Sequence, residues 1–397
     1  MRENIHAFVF FIFFLYICTI KYIKYMRIKD VVDIKNLSYE WDLIEQIPEF
    51  ARLKECEQSV KWHSEGNVWN HTKLVCEAAI KICNDLKQHN TDFAKYLLTA
   101  ALFHDIGKGT TTIFKKDDWH SYGHEIASDK LTRKLLWDEG YEVREAVCGL
   151  VKNHMEPLFM FTHKQYYDRI IDLSKNIVSW DLLINLKKCD ILGSKPSDPN
   201  RTNYDLTVLE DLVTITSKLN CYYGKSSMPY SRQLRHKTFD HKKTINIHVL
   251  IGLPGAGKST AVDKIIKSFN GPYCVVSRDI ARYELGYCEK GEKMVGTEQQ
   301  EKAVSEKCNE MILMAADLGE TIIIDNTNLK RKYRDSYRNL LSNYNLVITY
   351  DYVETKTLDN NLQRREGQIG KEVFDNMIMG FEWPQADEYD YIKFHLN

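Results

Sequence analysis

A chain of 397 residues is longer than one hydrophobic core usually serves and predicts two or more domains. With 44% hydrophobic and 27% charged residues, few Gly and Pro and no low-complexity tract, the composition is that of a globular protein. A formal net charge of −1 excludes a global basic field for nucleic acid, so any polyanion site is local. Ten cysteines without a C-x-x-C pair exclude zinc-finger and thioredoxin-type chemistry, and read as reduced thiols of a cytoplasmic protein.

In chain order, the first feature is FVFFIFFLYICTI, Phe8 to Ile20. It is short of the roughly 20 apolar residues that span a membrane. Residues 1–25 are expected to be an upstream extension or a weak anchor outside the fold, with Met26 opening a natural soluble start. From 26 to 222 the pattern is helical and no strand is expected. Apolar residues recur at helical spacing over Val68–Leu86, Phe93–His104, His124–Glu139, Val143–His154, Trp180–Leu192 and Leu206–Cys221. A basic linker follows at 223–243. From 244 to 397, strands such as INIHVLIG, PYCVVS, ETIIIDNTN and NLVITYDYV alternate with helices, which predicts βαβ units and a parallel sheet. The expected fold is therefore multidomain: an N-terminal all-α helical bundle followed by an α/β domain.

The α/β half opens with GLPGAGKST, Gly252 to Thr260, which fits G-x-x-x-x-G-K-[ST] after a strand and at the start of a helix. Gly252, Gly255 and Gly257 let the backbone curl so that N–H groups converge on phosphate, with Lys258 reaching the β and γ phosphates. Ser259, with Thr260 beside it, supplies a hydroxyl for Mg²⁺ beneath ATP or another NTP. SRDIAR ends the second strand, where Asp279 is placed to take a proton from an attacking hydroxyl and Arg282, one turn on, to grip an acceptor phosphate. Asp325 in IIIDNTN is a strand-end acid for Mg²⁺, while Asn326, Thr327 and Asn328 serve equally as helix caps. Arg364 and Arg365 lie on a polar segment that reads as a lid closing over the phosphates.

In the helical half, His104 and Asp105 end an apolar run in ALFHDIGKG. Alone the pair is a helix terminus meeting water. Its companions are His71, His124, His154 and Asp190, with His63 and His120 nearby in sequence. Imidazole plus carboxylate suits one or two transition-metal ions such as Mn²⁺ better than an all-oxygen Mg²⁺ shell. Such ions activate water and neutralise phosphoryl oxygens, and Lys108 is spaced to bind the phosphate.

The second half resembles the polynucleotide 5′-hydroxyl kinase family of P-loop enzymes, on the P-loop, SRDIAR, DNTN and the Arg364–Arg365 segment. The resemblance implies Asp279 as general base on a 5′-OH, Arg282 on the acceptor's phosphate, and Arg364 or Arg365 on the donor phosphates. The order H…HD…H…H…D resembles the HD-domain phosphohydrolases. It implies His71, His104, Asp105 and Asp190 as core ligands, His124 and His154 as added ones, and Lys108 as the Lys of HDxGK; His63 and His120 fall outside that pattern. Together the two halves are similar to the bifunctional HD-domain polynucleotide kinases, bacterial RNA end-healing enzymes. By that resemblance the HD module removes a 2′,3′-cyclic phosphate or 3′-phosphate and the kinase phosphorylates a 5′-OH. Implied partners are RNA, or DNA, ends, an NTP and a separately encoded ligase, without a membrane and with room for a homodimer. Two other readings stay open: a nucleotide phosphohydrolase fused to a nucleoside or small-molecule kinase, and an ATP-gated regulatory or toxin-like module that transfers nothing.

Overall fold

A computed structural model describes residues 27–219, 243–289, 296–364 and 369–397. The apolar segment 1–25 and the linker except Lys243 lie outside the described residues. The chain parts into two compact units within 220–242. No helix among the described residues is long and apolar enough to cross a membrane.

The first unit is built on α1 (Val68–Asp85), α2 (Asp92–Phe103), α3 (His124–Leu135), α4 (Tyr141–Asn153), α5 (Trp180–Gly193) and α6 (Arg201–Lys218). Their starts follow local chemistry. The side chains of Asn67, Thr91 and Ser179 each accept a hydrogen bond from the backbone N–H three residues on, capping α1, α2 and α5. The core joins Val75, Leu97, Leu98, Phe103, Leu183 and Trp180, all fully buried or nearly so. Each such side chain removed from water contributes about 1.5–3 kcal/mol.

α1 and α5 pack at backbone contact: a Cβ on Gly193 would lie 2.7 Å from the Val75 nitrogen. A second close approach holds the turn after α2 against α3, since a Cβ on Gly107 would lie 2.4 Å from the His124 carbonyl oxygen. These two glycines set the distances between the elements that carry the site.

Two hairpins correct the all-helical expectation. Val32–Asp33 (β1) pairs with Ser38–Tyr39 (β2), and Thr112–Lys115 (β3) with Asp118–Ser121 (β4), both antiparallel. The second turns through Lys116 and Asp117, both at positive φ of 53° and 59°, the conformation that tight two-residue hairpin turns require. Strands of two to four residues are too short to impose a period of two on the sequence pattern.

The second unit is a five-stranded all-parallel sheet in the order β6-β7-β5-β8-β9, from β5 (Thr244–Ile251), β6 (Tyr273–Val276), β7 (Thr321–Ile324), β8 (Asn345–Glu354) and β9 (Tyr391–Leu396). The edge strand β9 was not expected from the sequence. Its helices are α7 (Lys258–Lys267), α8 (Arg278–Glu284), α9 (Glu298–Leu318), α10 (Arg331–Leu340), α11 (Leu358–Gln363) and α12 (Lys371–Met379). The Thr297–Gln300 capping box starts α9, and Gly319 at φ 78° ends it. Across the sheet, fully buried Asp351 on β8 accepts hydrogen bonds from His248 Nδ1 on β5 (2.7 Å) and His395 Nε2 on β9 (2.8 Å).

Candidate active sites: a histidine–aspartate centre and a P-loop

The first unit gathers His71 from α1, His104 and Asp105 from the end of α2, His124 from the first turn of α3, His154 from the end of α4 and Asp190 from the last turn of α5. All six ligands expected from the sequence meet in one place. Asp105 is the hub. Its Oδ2 lies 3.3 Å from His104 Nε2 and 3.6 Å from His71 Nε2, and its Oδ1 lies 3.3 Å from His124 Nε2 and 3.7 Å from His154 Nε2. Asp190 Oδ1 completes the first group, 3.1 Å from His71 Nε2. Two ligands held about 2.1 Å from one ion at tetrahedral or octahedral angles are about 3.0–3.4 Å apart. The spacing suits one or two ions, with Asp105 common to both groups of imidazoles.

The proton inventory tests that fit. His104, His124 and His154 each donate from Nδ1 to a backbone carbonyl, of Ala101, Ser121 and Val151, at 2.7–2.9 Å. A carbonyl only accepts, so the proton of each neutral ring is on Nδ1 and the Nε2 lone pair faces Asp105. Asp105 Oδ1 is buried and has no hydrogen-bond donor. Lone pairs converging on a carboxylate oxygen are stable only around cations, so the residues fit a divalent metal centre.

The electrostatics agree. Burial favours the neutral form of His124 and His154 and moves both below the usual imidazole value. For Asp105 and Asp190 burial opposes ionisation, but Lys108 beside the one and Lys187 beside the other, with the imidazoles around them, hold both carboxyls well below their usual range. His71 differs. Burial would lower it, yet Asp190 and Glu65 outweigh this and raise it to about 9.

Lys108 Nζ sits 2.7 Å from Asp105 Oδ2 and donates to Gln58 Oε1 at 3.0 Å. A cavity of about 560 Å³ opens over Asp105, Lys108, His124, His154 and Asp190. Two groups went unread in the sequence. Glu65 Oε1 lies 2.9 Å from His71 Nδ1 and accepts from His63 Nδ1 at 2.7 Å, which places His63 one carboxylate behind a ligand. Burial, the larger effect, lowers His63 to about 4. Buried Lys187 donates to Asp190 Oδ2 at 2.6 Å. Its i, i+3 spacing from Asp190 was a usable signal, whereas Glu65 lies in a loop with no periodicity. His120 is on β4 and lines the cavity.

In the second unit, Gly255 and Gly257 take φ of 77° and 96°, and the loop runs from β5 into α7. Lys258 opens α7, with its Nζ within 3.2 Å of the Gly252 and Leu253 carbonyls, and Thr260 follows in the same turn. Ser259 Oγ donates to Asp325 Oδ2 at 3.4 Å, so a hydroxyl and a strand-end carboxylate meet where Mg²⁺ is expected. Asn326 Oδ1 accepts from the Arg278 N–H, and Asn328 Nδ2 donates to the Leu250 carbonyl, so both asparagines tie the loop to its neighbours. Arg364, just past α11, donates from Nη1 to the Gly255 carbonyl at 3.0 Å. Arg365 lies outside the described residues.

Asp279, half-exposed on the first turn of α8, accepts from Arg282 Nη1 at 2.9 Å. The other side of that guanidinium is held by Glu301, at 3.0 Å from Nε and 2.9 Å from Nη2. Burial opposes ionisation of Glu301, but Arg282 and then Arg278 outweigh it and bring the carboxyl down to about 2. Nothing in the sequence pattern pointed to Glu301.

Residues 68–180 match the HD domain family, and residues 247–384 match the AAA domain family. No curated protein matches the chain. Among solved structures, a chain of the Pnkp1/Rnl/Hen1 complex is 18% identical, over 34% of this chain and 44% of that one, at a TM-score of 0.27. The APS kinase CysC of Mycobacterium tuberculosis with AMPPNP and APS is 15% identical over 38% and 88%, at 0.28. Kti12 of Chaetomium thermophilum with ADP-AlF3 is 13% identical over 38% and 88%, at 0.26. The chain spans less than half the length of the Pnkp1/Rnl/Hen1 chains it matches. The chain thus carries a match to the HD domain family followed by a match to the AAA domain family, the first over the helices that bring the histidines together and the second over the sheet and its P-loop.

Proposed function

We propose that this protein repairs both sides of a broken RNA: its HD domain removes a 2′,3′-cyclic phosphate or 3′-phosphate, and its P-loop domain phosphorylates a 5′-OH. The observation that carries the reading is the Asp105-bridged imidazole centre under a lysine-lined cavity, in one chain with a P-loop and an acid at the edge of the same sheet.

In the HD domain, His71, His104, Asp105, His124, His154 and Asp190 would hold one or two divalent ions. Bound there, divalent ions lower the pKa of a water and neutralise phosphoryl charge. The backbone carbonyls behind His104, His124 and His154 fix the rings in the ligating tautomer. Lys108 keeps Asp105 ionised and presents a positive charge to the phosphate, and Lys187 keeps the second Asp190 oxygen occupied so that the first faces the centre.

In the kinase domain, Ser259 and Asp325 would hold Mg²⁺, and Lys258, which rests on the Gly252 and Leu253 carbonyls, would reach the phosphates. Arg364 is placed as the lid arginine. Asp279 takes the proton of the 5′-OH as the new O–P bond forms and the nucleoside diphosphate departs. Because Arg282 is held by Glu301, gripping an acceptor phosphate requires exchanging that carboxylate for the phosphate. This same pairing favours a second reading, in which the acceptor is a nucleoside or other small molecule with no neighbouring phosphate.

The test is separability. Asp105→Asn is expected to abolish release of phosphate from an RNA ending in 2′,3′-cyclic phosphate while sparing 5′ phosphorylation, and Lys258→Ala to do the reverse. Preference of the kinase for free nucleosides over a 5′-OH oligonucleotide selects the second reading. Loss of both activities from either change points to one composite site.

A further inference from the structure

Beside the cavity, the hairpin β3–β4 carries rings that the fold leaves uncovered. Phe114 is 60% exposed and Tyr122, just past β4, is 69% exposed. The rings fall into two pairs. Phe114 is opposite Trp119 across the strands, with ring centroids 5.1 Å apart, and His120 lies parallel to Tyr122, at 5.3 Å and 7°. Trp119 and His120 also line the cavity that holds Asp105 and Lys108, so each pair has one ring at the cavity and one uncovered at the surface. Trp62, which also lines the cavity, is 41% exposed, under the cations of Lys61 and Arg201 at 4.8 and 5.1 Å. The hairpin tip itself is charge-balanced, with Lys115 and Lys116 beside Asp117 and Asp118.

Uncovered apolar rings on a short hairpin are costly unless they have an occupant. A protein partner would need a broad apolar face. Here the uncovered rings are few, and they stand with Lys61 and Arg201 around a cavity that holds Asp105 and Lys108. Flat faces at stacking distance with positive charge alongside is what a single-stranded nucleic acid requires.

We propose that the β3–β4 hairpin, with Tyr122, is a stacking platform for the unpaired nucleotides that precede the 3′ end entering the HD cavity. The terminal phosphate lies over Asp105 and Lys108, and the bases before it stack on the two ring pairs, Trp119 with Phe114 and His120 with Tyr122. This rests on the RNA reading above and adds to it that the enzyme reads a strand rather than a lone nucleotide.

The test compares two substrates on the full-length protein: a ten-nucleotide RNA ending in 2′,3′-cyclic phosphate and a 2′,3′-cyclic mononucleotide. In the double variant Phe114→Ala, Tyr122→Ala, the ratio of the oligonucleotide KM to the mononucleotide KM is expected to rise about tenfold, as expected from losing one good base–aromatic stack. Phe114→Tyr, Tyr122→Phe, which keeps the rings, is expected to restore the wild-type ratio. An unchanged ratio in the alanine variant overturns the platform and leaves the hairpin as a protein-facing surface, while the RNA reading stands. Wild-type hydrolysis of the mononucleotide but not of the oligonucleotide overturns the RNA reading, and the platform with it.

Discussion

At the residue scale, the centre depends on how each ring is held from behind. Three ligand histidines donate to backbone carbonyls, but His71 faces the Glu65 carboxylate, which also receives His63. A carboxylate behind an imidazole makes it more basic and fixes its orientation. Glu65→Gln keeps the shape and removes the charge, and is expected to weaken divalent-metal binding about 10–100-fold, read by metal titration of the stripped protein. Asp190, with Glu65 after it, also gives His71 a pH dependence. His71 is raised to about 9, above its usual value of roughly 6.5, so in the metal-free protein its pairing is fully present below about 6.5 and is lost as pH rises through about 9. Metal binding runs the other way, because Nε2 must lose its proton. Affinity is expected to increase from pH 7 to 9 with proton release, measurable by calorimetry in buffers of different ionisation enthalpy. The histidines and Asp105 were legible in the sequence as residue types in a recurring order. Glu65 was not, because nothing in a loop's spacing says which acid folds back onto which ring.

At the scale of elements, the site is held by a polar lock between the two helices that deliver His124 and His154. Arg133 on α3 makes a two-pronged bond to Asp129 and also reaches Glu145 on α4, which receives Arg144 as well. Burial alone would raise the Glu145 carboxyl, but Arg133 and Arg144 hold it below its usual value. Removing one member of a buried charge cluster leaves the others unpaired. Glu145→Ala is therefore expected to cost about 3–5 kcal/mol of stability, read by urea denaturation, and to loosen the His124–His154 pair without touching a ligand. With a depressed carboxyl, the contribution of Glu145 is present above about pH 4.3 and fades as pH falls through its folded value. The helices themselves follow from apolar spacing and caps, and their predicted bounds agree with the structure to within a few residues, except α6, which starts at Arg201 rather than near Leu206. The β3–β4 hairpin was missed because four-residue strands inside a helical stretch give too little alternation to register.

At the scale of the whole chain, every ligand proposed for the metal lies between His71 and Asp190, and the P-loop, Asp279 and Asp325 all lie beyond Lys243. Each chemistry is thus confined to one compact unit, and binding to a folded unit raises only the stability of that unit. Scanning calorimetry of the full chain is expected to show two transitions. Mn²⁺ should raise one, and a non-hydrolysable ATP analogue with Mg²⁺ should raise the other. A single transition moved by both would mean that the two units unfold together.

The sequence by itself determined the two-part architecture, the P-loop and the set of histidines and aspartates, because these depend on local periodicity and on residue types at short spacings. Only the tertiary structure decided that Asp105 bridges two groups of imidazoles, that Glu65 and Lys187 stand behind them, and that Glu301 occupies Arg282. It also decided that HD, first legible as the end of a helix, is the hub of the centre. Those facts depend on which helices cross and how closely. Here the crossings are set by backbone contacts at Gly107 and Gly193, between residues 17 or more positions apart, which no local pattern encodes.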